Sequence, residues 1–277
     1  MTAASALFPG SEFAPGYTVI AREGEASPIY GYDTGMDFGI QCCSPGEIVV
    51  ETHPKESVWV LLRGRAEIEF VGRQVGVSRT DLFDEPPTAL HVSGHTTVTL
   101  KHEAWTEWAV IRTTNRADFA PHLFLPAALT PEYRGAGLVQ NACLRNVRLI
   151  FDRTARPESN LVVGEVVNYP GRWSSYPPHH HDQPEIYHYR FTHANGYGHA
   201  ENGATIHKVR HRDTLFISPG LDHAQVSAPG YGMYYLWMIR HLPGNPYTGF
   251  TFAEEHKWTL DPAQQGWRSA EPPPDFR

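Results

Sequence analysis

The chain contains few cysteines, and they form no recognisable motif. Cys42, Cys43 and Cys143 are the three cysteines among 277 residues, an odd number without a C-x-x-C spacing. Because adjacent cysteines rarely pair with each other, the sequence favours free thiols in a reducing compartment. The N-terminal segment also lacks the basic and apolar regions of a signal peptide. We therefore expect a cytoplasmic protein.

Long apolar runs and an excess of positive charge are also missing. No stretch reaches the roughly 18 apolar residues that a transmembrane helix requires, so we expect no contact with a membrane. The chain has 23 Lys and Arg residues against 30 Asp and Glu residues, which gives a net charge of -7. Without a basic excess to hold a phosphate backbone, nucleic acid is not an expected partner.

Turn-forming and aromatic residues, in contrast, are plentiful. The chain has 24 glycines and 23 prolines, and 12% of its residues are aromatic. Segments that alternate polar and apolar residues recur roughly every 8–12 residues, and such spacing is typical of a β-sandwich or β-barrel. Two examples separated by a glycine are ESVWVLLRG (Glu56–Gly64) and RAEIEFVG (Arg65–Gly72). The sequence therefore predicts an all-β protein.

The strand pattern has two similar halves with an interruption between residues 121 and 141. Each half contains a turn-rich segment with His and Glu, a strand pair and a later P-x-x-x-H segment, Pro87–His91 in the first and Pro219–His223 in the second. This repetition predicts an internal duplication. We expect an N-terminal domain over residues 1–125, and a C-terminal domain with a tail over residues 126–277.

The segment SSYPPHHHDQPEIYHYRF contains the residues that point most clearly to a metal site. His179 and His181 would share one face of an extended strand, whereas His180 would face the opposite way. A turn formed by Asp-Gln-Pro would fold Glu185 back beside them, and His223 would complete the set. Three imidazoles and one carboxylate suit zinc, manganese, iron, nickel or cobalt. Because the chain has 16 histidines, the alternative is a solvated histidine cluster.

The paired motifs H-x-H-x3-E and P-x3-H are the pattern of the cupin superfamily. More narrowly, LVVGEVVNYPGRWSSYPPHHHD, EIYHYRF, PGLDHAQVSAPGYGMYYLWMI and EYRGAGLVQNACLRNVRLIFD resemble segments of the 5-deoxy-glucuronate isomerases of inositol catabolism, which are related to the 5-keto-4-deoxyuronate isomerases. The resemblance covers most of residues 130–260. It implies a bicupin fold, with two double-stranded β-helix (jelly-roll) barrels, and a metal-dependent conversion of 5-deoxy-glucuronate to 2-deoxy-5-keto-gluconate.

An aldose–ketose isomerase needs groups that move protons between neighbouring carbons and oxygens. Glu185, Tyr187 and Tyr189 share one strand face, so we expect them inside the barrel as a base or as proton relays. On the preceding strand, Glu165 and Asn168 have opposite parity, so at most one of them faces the pocket. The alternate positions of the Glu185 strand are expected to face outward: His188 and Arg190.

A uronate substrate also needs a cation that receives its carboxylate, preferably a guanidinium fork. The candidates are Arg172, before the histidine strand, and Lys208 or Arg210 on a later strand. His207, on that later strand, is a further candidate acid or base. For the Arg and Lys residues, an exposed structural role is the alternative.

The first half contains a second, weaker group of possible ligands. It has no H-x-H motif, and its candidates are Glu51, His53, Glu56 and His91. We expect this barrel to hold no metal.

Fold alone does not choose among chemistries. The leading hypothesis is a divalent-metal-dependent isomerase of a uronate-type sugar acid. The alternatives are an iron-dependent cupin dioxygenase and a sugar-acid-binding protein without catalysis. Barrels with exposed edges often pair, so a homo-oligomer is expected.

Overall fold

Nearly all regular structure in the chain is β-strand, which confirms the predicted fold class. The computed structural model describes residues 7–26 and 31–270. The strands are β1 (Leu7–Phe8), β2 (Gly16–Ala21), β3 (Asp37–Cys43), β4 (Ile48–Thr52), β5 (Glu56–Phe70), β6 (Arg73–Arg79), β7 (Ala89–Val92), β8 (Thr97–His102), β9 (Thr106–Thr113), β10 (His122–Phe124), β11 (Glu132–Arg134), β12 (Arg145–Phe151), β13 (Leu161–Asn168), β14 (Trp173–His180), β15 (Glu185–Phe191), β16 (Tyr197–Asn202), β17 (Thr205–Arg210), β18 (Thr214–Ile217), β19 (His223–Ser227), β20 (Met233–Arg240) and β21 (Thr251–Phe252). Short 3₁₀ helices lie at Pro126–Ala128, Val139–Asn141 and Glu254–Leu260. Within the described residues, no helix is long and apolar enough to cross a bilayer.

Strands β2 to β10 form the first half as two facing layers that share strand β5. One layer has the order β10-β7-β5-β9-β3-β2, and the other joins β4, β8 and β6 to the far part of β5. The sequence pattern predicted two strands on either side of Gly64, but the structure has one continuous strand. Gly64 has φ of +117°, and a Cβ there would lie 2.4 Å from the Trp105 carbonyl oxygen. The glycine therefore bends β5 from one layer into the other without ending it.

The second half is a sandwich of a seven-stranded and a five-stranded sheet. The larger sheet has the order β1-β18-β15-β20-β13-β12-β11, and the smaller has the order β17-β16-β19-β14-β21. Apolar side chains from both sheets, including Tyr187, Ala200, Val209 and Tyr235, form one core cluster between them. Strand β1 pairs with β18, so residues 7–8 join the sheet of the second half although they precede all strands of the first.

A separate core joins the two halves through the outer face of the seven-stranded sheet. Phe38 and Val60 of the first half share one buried cluster with Phe216 and Met238 of the second. The face of β15 that carries His188 and Arg190 points into this junction, where Ile186 of the same face joins the buried cluster and the His188 ring lies 5.5 Å from that of Phe38. His188 and Arg190 therefore lie outside the barrel interior, as predicted. They are nevertheless buried, because the first half covers that face.

Two buried charge contacts cross the junction. Arg190 donates a hydrogen bond to Glu107 at 2.9 Å, with both side chains largely covered. Glu165 of β13 accepts hydrogen bonds from Arg79 at 2.7 Å and Arg148 at 2.9 Å, and all three side chains are at most 3% exposed. Glu165 and Asn168 lie on opposite faces of β13, and Glu165 is the one that faces the junction.

The three thiols should be unreactive in the folded protein. All are unpaired and buried. Burial raises the pKa of Cys42 to about 12 and that of Cys43 to about 11, and it also raises the pKa of Cys143. Because the thiolate is the nucleophile, we expect a chromogenic disulfide reagent at pH 8 to label none of them until denaturant is added, and then all three. Rapid labelling of the native protein would contradict this burial.

Candidate metal centre

The predicted H-x-H-x3-E segment folds back on itself at the end of β14. His181 follows the last residue of β14, and Glu185 begins β15. Asn245, from the loop after β20, holds the connecting turn from both sides: its side-chain amide donates to Asp182 Oδ2 at 3.0 Å, and its carbonyl accepts from Gln183 Nε2 at 2.9 Å. The anchored turn places Glu185 beside His181, as the turn chemistry of the sequence predicted.

Three of the four predicted ligands lie together in the barrel interior. Glu185 Oε2 lies 3.1 Å from His181 Nε2 and 3.4 Å from His223 Nε2. One donor atom of each residue falls within 4.8 Å of the others, and all three residues are buried. The group therefore has the size and donor types of a site for a divalent cation.

The hydrogen bonds of His223 also fit a metal ligand. Its Nδ1 lies 3.2 Å from the Leu221 carbonyl oxygen, whereas its Nε2 is buried and has no hydrogen-bond partner. A metal-bound histidine usually donates its other N–H to a carbonyl or carboxylate, which fixes the tautomer and presents the free nitrogen to the ion. A buried, unpaired imidazole nitrogen beside a carboxylate is costly unless it has a ligand.

Glu185 is held in its ionised form. Burial raises the pKa of its carboxyl group, but the imidazoles of His181 and His223 outweigh this effect and lower the pKa to about 2. A carboxylate that stays ionised at every working pH is a good metal ligand and a weak proton acceptor.

His179 lines the same cavity but lies beside the group of three. Residues 179 and 223 are register partners on β14 and β19, and their rings lie 4.5 Å apart. His179 Nδ1 faces the carbonyl oxygens of Ser175 at 3.2 Å and Pro177 at 3.3 Å, which leaves Nε2 available. His180 points away, as predicted, and pairs with Asp222 at 2.7 Å at the surface.

The cavity at this group has a volume of about 190 Å³ and extends between the two sheets of the second half. Of the predicted tyrosines, Tyr187 lines it, with its ring 6.0 Å from that of His223. Tyr189 lies behind this wall, fully buried against Tyr235, and does not line the cavity. Tyr235 itself forms a hydroxyl pair with Ser174 at 2.5 Å on the cavity wall.

Three residues predicted from sequence lie outside this cavity. Arg172 precedes β14, and its carbonyl oxygen accepts a hydrogen bond from Asn168 at 2.6 Å. Lys208 is exposed, and its ammonium group lies 4.2 Å from the centre of the Tyr197 ring. His207 is half-buried on the edge strand β17 and does not line the cavity. The structure therefore does not bring these three side chains to the metal group.

Two arginines line the cavity instead: Arg145, at the start of β12, and its more exposed register partner Arg134 on β11. Sequence reasoning missed Arg145, although a signal was present. It shares strand parity with Val147 and Leu149, which also line the cavity, so it is a charged residue in an inward-facing series.

The candidate ligands of the first half are held by protein partners. Glu51 receives two hydrogen bonds from Arg112, at 2.7 and 2.8 Å. Glu56 lies 2.8 Å from His91 Nε2, and Arg156 donates to His91 Nδ1 at 3.0 Å. Because Nδ1 accepts, Nε2 carries the proton and donates it to Glu56. Both nitrogens of His91 are therefore already used in hydrogen bonds.

Comparison with known proteins agrees with this architecture. The KduI/IolB family model matches residues 28–259. A curated relative from Geobacillus kaustophilus (strain HTA426), named 5-deoxy-glucuronate isomerase, is 28% identical over 232 residues, which cover 76% of this chain and 80% of the relative.

Solved structures show the same fold. An IolB-like protein from Salmonella typhimurium LT2 superposes with a TM-score of 0.80 at 22% identity, covering 92% of this chain and 99% of its own. A cupin 2 conserved barrel domain protein from Leptotrichia buccalis superposes with a TM-score of 0.50 at 11% identity, covering 84% and 92%. The predicted cupin fold is thus confirmed.

The family match spans most of the chain, and the relatives found by sequence are isomerases. The resemblance stated from the H-x-H segment and its neighbours is therefore confirmed, as is the prediction that the chain is an isomerase. This chain belongs to the KduI/IolB family.

Proposed function

We propose that this protein is a metal-dependent aldose–ketose isomerase that converts 5-deoxy-glucuronate to 2-deoxy-5-keto-gluconate. The observation that carries the proposal is the buried group of His181, Glu185 and His223, two of which, His181 and Glu185, line the cavity between the sheets. The curated relative named 5-deoxy-glucuronate isomerase supports the choice of substrate.

His181, Glu185 and His223 would hold the divalent cation, with His179 as a fourth donor. When bound, such a cation polarises substrate oxygens and stabilises negative charge that develops on them. The buried donor set contains one carboxylate and two or three imidazoles. It suits zinc, manganese, iron, nickel and cobalt alike.

Tyr187 would donate a hydrogen bond to the substrate oxygen that becomes negatively charged when the C2 proton is removed and before a proton is delivered to C1. Its own proton would stay on the phenol. Burial, and then the nearby charge of Glu185, raise the pKa of Tyr187 well above its ordinary value. The phenol therefore stays protonated at neutral pH and is a donor. The lower local dielectric inside the protein strengthens such a hydrogen bond.

Replacing Tyr187 by phenylalanine should lower kcat by about 10²- to 10³-fold, the usual cost of removing one hydrogen-bond donor to developing negative charge. The metal content should stay unchanged, because the phenol is not a ligand. Tyr189→Phe is the matched control: its hydroxyl is buried without a partner and lies outside the cavity, so kcat should stay within a few-fold. Equal losses in both variants would contradict the assignment.

The proposed function is tested by NMR of 5-deoxy-glucuronate mixed with the purified protein under nitrogen, after loading with each of the five metals. We expect the ketose to appear without oxygen. No conversion by protein with a full metal load would refute the isomerase. Oxygen consumption that requires ferrous iron would instead identify the dioxygenase considered from the sequence.

A further inference from the structure

The cavity of the metal group contains a guanidinium that the protein itself does not neutralise. Arg145 lines the same cavity as His181 and Glu185. It donates to two backbone carbonyl oxygens, of Cys143 at 2.9 Å and of Tyr176 at 3.4 Å. Among the residues that the structure describes, no carboxylate forms an ion pair with it. The five N–H groups of a guanidinium leave donors for an external acceptor.

A second positive charge beside Arg145 lowers the stability of the folded protein. Arg134 on β11 is its direct register partner. Like charges directly opposite each other on antiparallel strands are destabilising. Glu132 pairs with Arg134 at 2.8 Å at the surface, but Arg145 lies deeper and has no such partner. Burial, which is the main effect, and the charge of Arg134 both lower the pKa of Arg145.

An anion bound in the cavity would offset the repulsion between the two arginines and the burial of the Arg145 charge. Hydrogen bonds between a guanidinium and a carboxylate are stronger than neutral ones, and the planar fork matches a carboxylate with two bonds. The Tyr235–Ser174 hydroxyl pair also lines the cavity and offers groups for the hydroxyls of a sugar chain. In a six-carbon uronate the carboxylate and the reacting C1–C2 pair are at opposite ends of the chain.

We propose that Arg145, assisted by Arg134 at the cavity mouth, binds the substrate's carboxylate and so directs the other end of the sugar acid toward His181, Glu185 and His223. This inference rests on the proposed function, because it names the specificity determinant of that same cavity. It replaces Arg172 and Lys208, which lie elsewhere, as the carboxylate-binding cation.

The test compares 5-deoxy-glucuronate with its C6 amide in the wild-type holoenzyme, Arg145→Gln and Arg145→Lys. Wild-type protein should prefer the acid by about 10- to 100-fold in kcat/KM, the value of one or two charged hydrogen bonds. In Arg145→Gln this preference should fall to within about threefold, mainly through KM, with the metal content unchanged. Arg145→Lys keeps the charge without the fork and should retain part of the preference. Arg65→Gln, an exposed arginine of the first half, is the matched control and should behave like wild type.

Binding measurements separate this inference from the proposed function. If wild-type protein turns over the acid and Arg145→Gln still prefers it as strongly, the inference is wrong and the isomerase stands. If no variant shows turnover, titration calorimetry should compare the affinities of the acid and the amide for wild-type protein and for Arg145→Gln. An acid preference that depends on Arg145 supports the carboxylate site, whereas the absence of any preference overturns it.

Discussion

Replacing Glu165 by alanine should lower the free energy of unfolding by about 3–5 kcal/mol, which is the usual cost of removing one partner from a buried ion pair. Glu165 is fully buried and neutralises both Arg79 and Arg148. It also accepts a hydrogen bond from the Tyr234 hydroxyl at 2.9 Å. Without the carboxylate, two guanidinium groups would face each other in the junction with only backbone carbonyl oxygens as partners. Equilibrium urea denaturation of both proteins measures the difference.

Lys101→Met is the matched control for this prediction. Lys101 pairs with Glu67 and Glu69 at 2.9 and 3.3 Å, but all three side chains are more than a third exposed. Exposed pairs contribute little because water and salt screen them, so the urea midpoint should hardly move. If Glu165→Ala were as stable as Lys101→Met, the buried network would not hold the two halves together.

Replacing His223 by alanine should remove the metal and abolish isomerisation. Loss of a supporting residue typically lowers metal affinity about 10- to 100-fold, so loss of a ligand should cost at least about 100-fold. The fold should survive, because the apolar side chains that form the core of the second half remain in place. Metal content by mass spectrometry after dialysis, with the circular dichroism spectrum, separates loss of metal from loss of structure.

His180→Ala is the control for the metal prediction, since His180 lies between two candidate ligands in sequence but faces Asp222 at the surface. It should keep the metal content and kcat of the wild type. A full metal load in His223→Ala, or its loss in His180→Ala, would contradict the assignment of faces along β14.

The local pattern of the sequence was enough to predict the candidate metal site. The two-residue period of a strand separates His179 and His181 from His180, and the short turn brings Glu185 back beside His181. These interactions involve two consecutive strands, the turn that joins them across the sandwich and the neighbouring strand β19, so they depend little on the first half of the molecule. The fourth predicted ligand, His179, is also close, because its strand pairs with that of His223.

Contacts between the two halves were not predictable in the same way. Strand periodicity placed His188 and Arg190 outside the barrel, but only the docking of the first half makes that outside a buried surface. The same holds for Glu165, whose partner Arg79 is 86 residues distant in sequence. The continuity of β5 through Gly64 was missed because a glycine usually marks a turn, whereas here it bends a strand.

The proposed carboxylate-binding cation could have been predicted from strand parity. Arg172 was predicted because it precedes the histidine strand, and Lys208 because it is a cation on a later strand of the same half. Arg145 belongs to an earlier strand, but its parity with Val147 and Leu149 already directs it inward. Inward-facing charge on any strand of the barrel is therefore a better guide than distance along the chain.

Anomalous diffraction from crystals grown with zinc or cobalt would locate the metal directly. We expect one strong peak per chain, about 2.0–2.2 Å from the nearest nitrogens of His181 and His223 and from an oxygen of Glu185. The first half should show none at Glu56 and His91, because Arg156 and Glu56 already occupy both nitrogens of that histidine. A peak in the first half, or no ordered ion beside Glu185, would contradict the metal centre proposed for this isomerase.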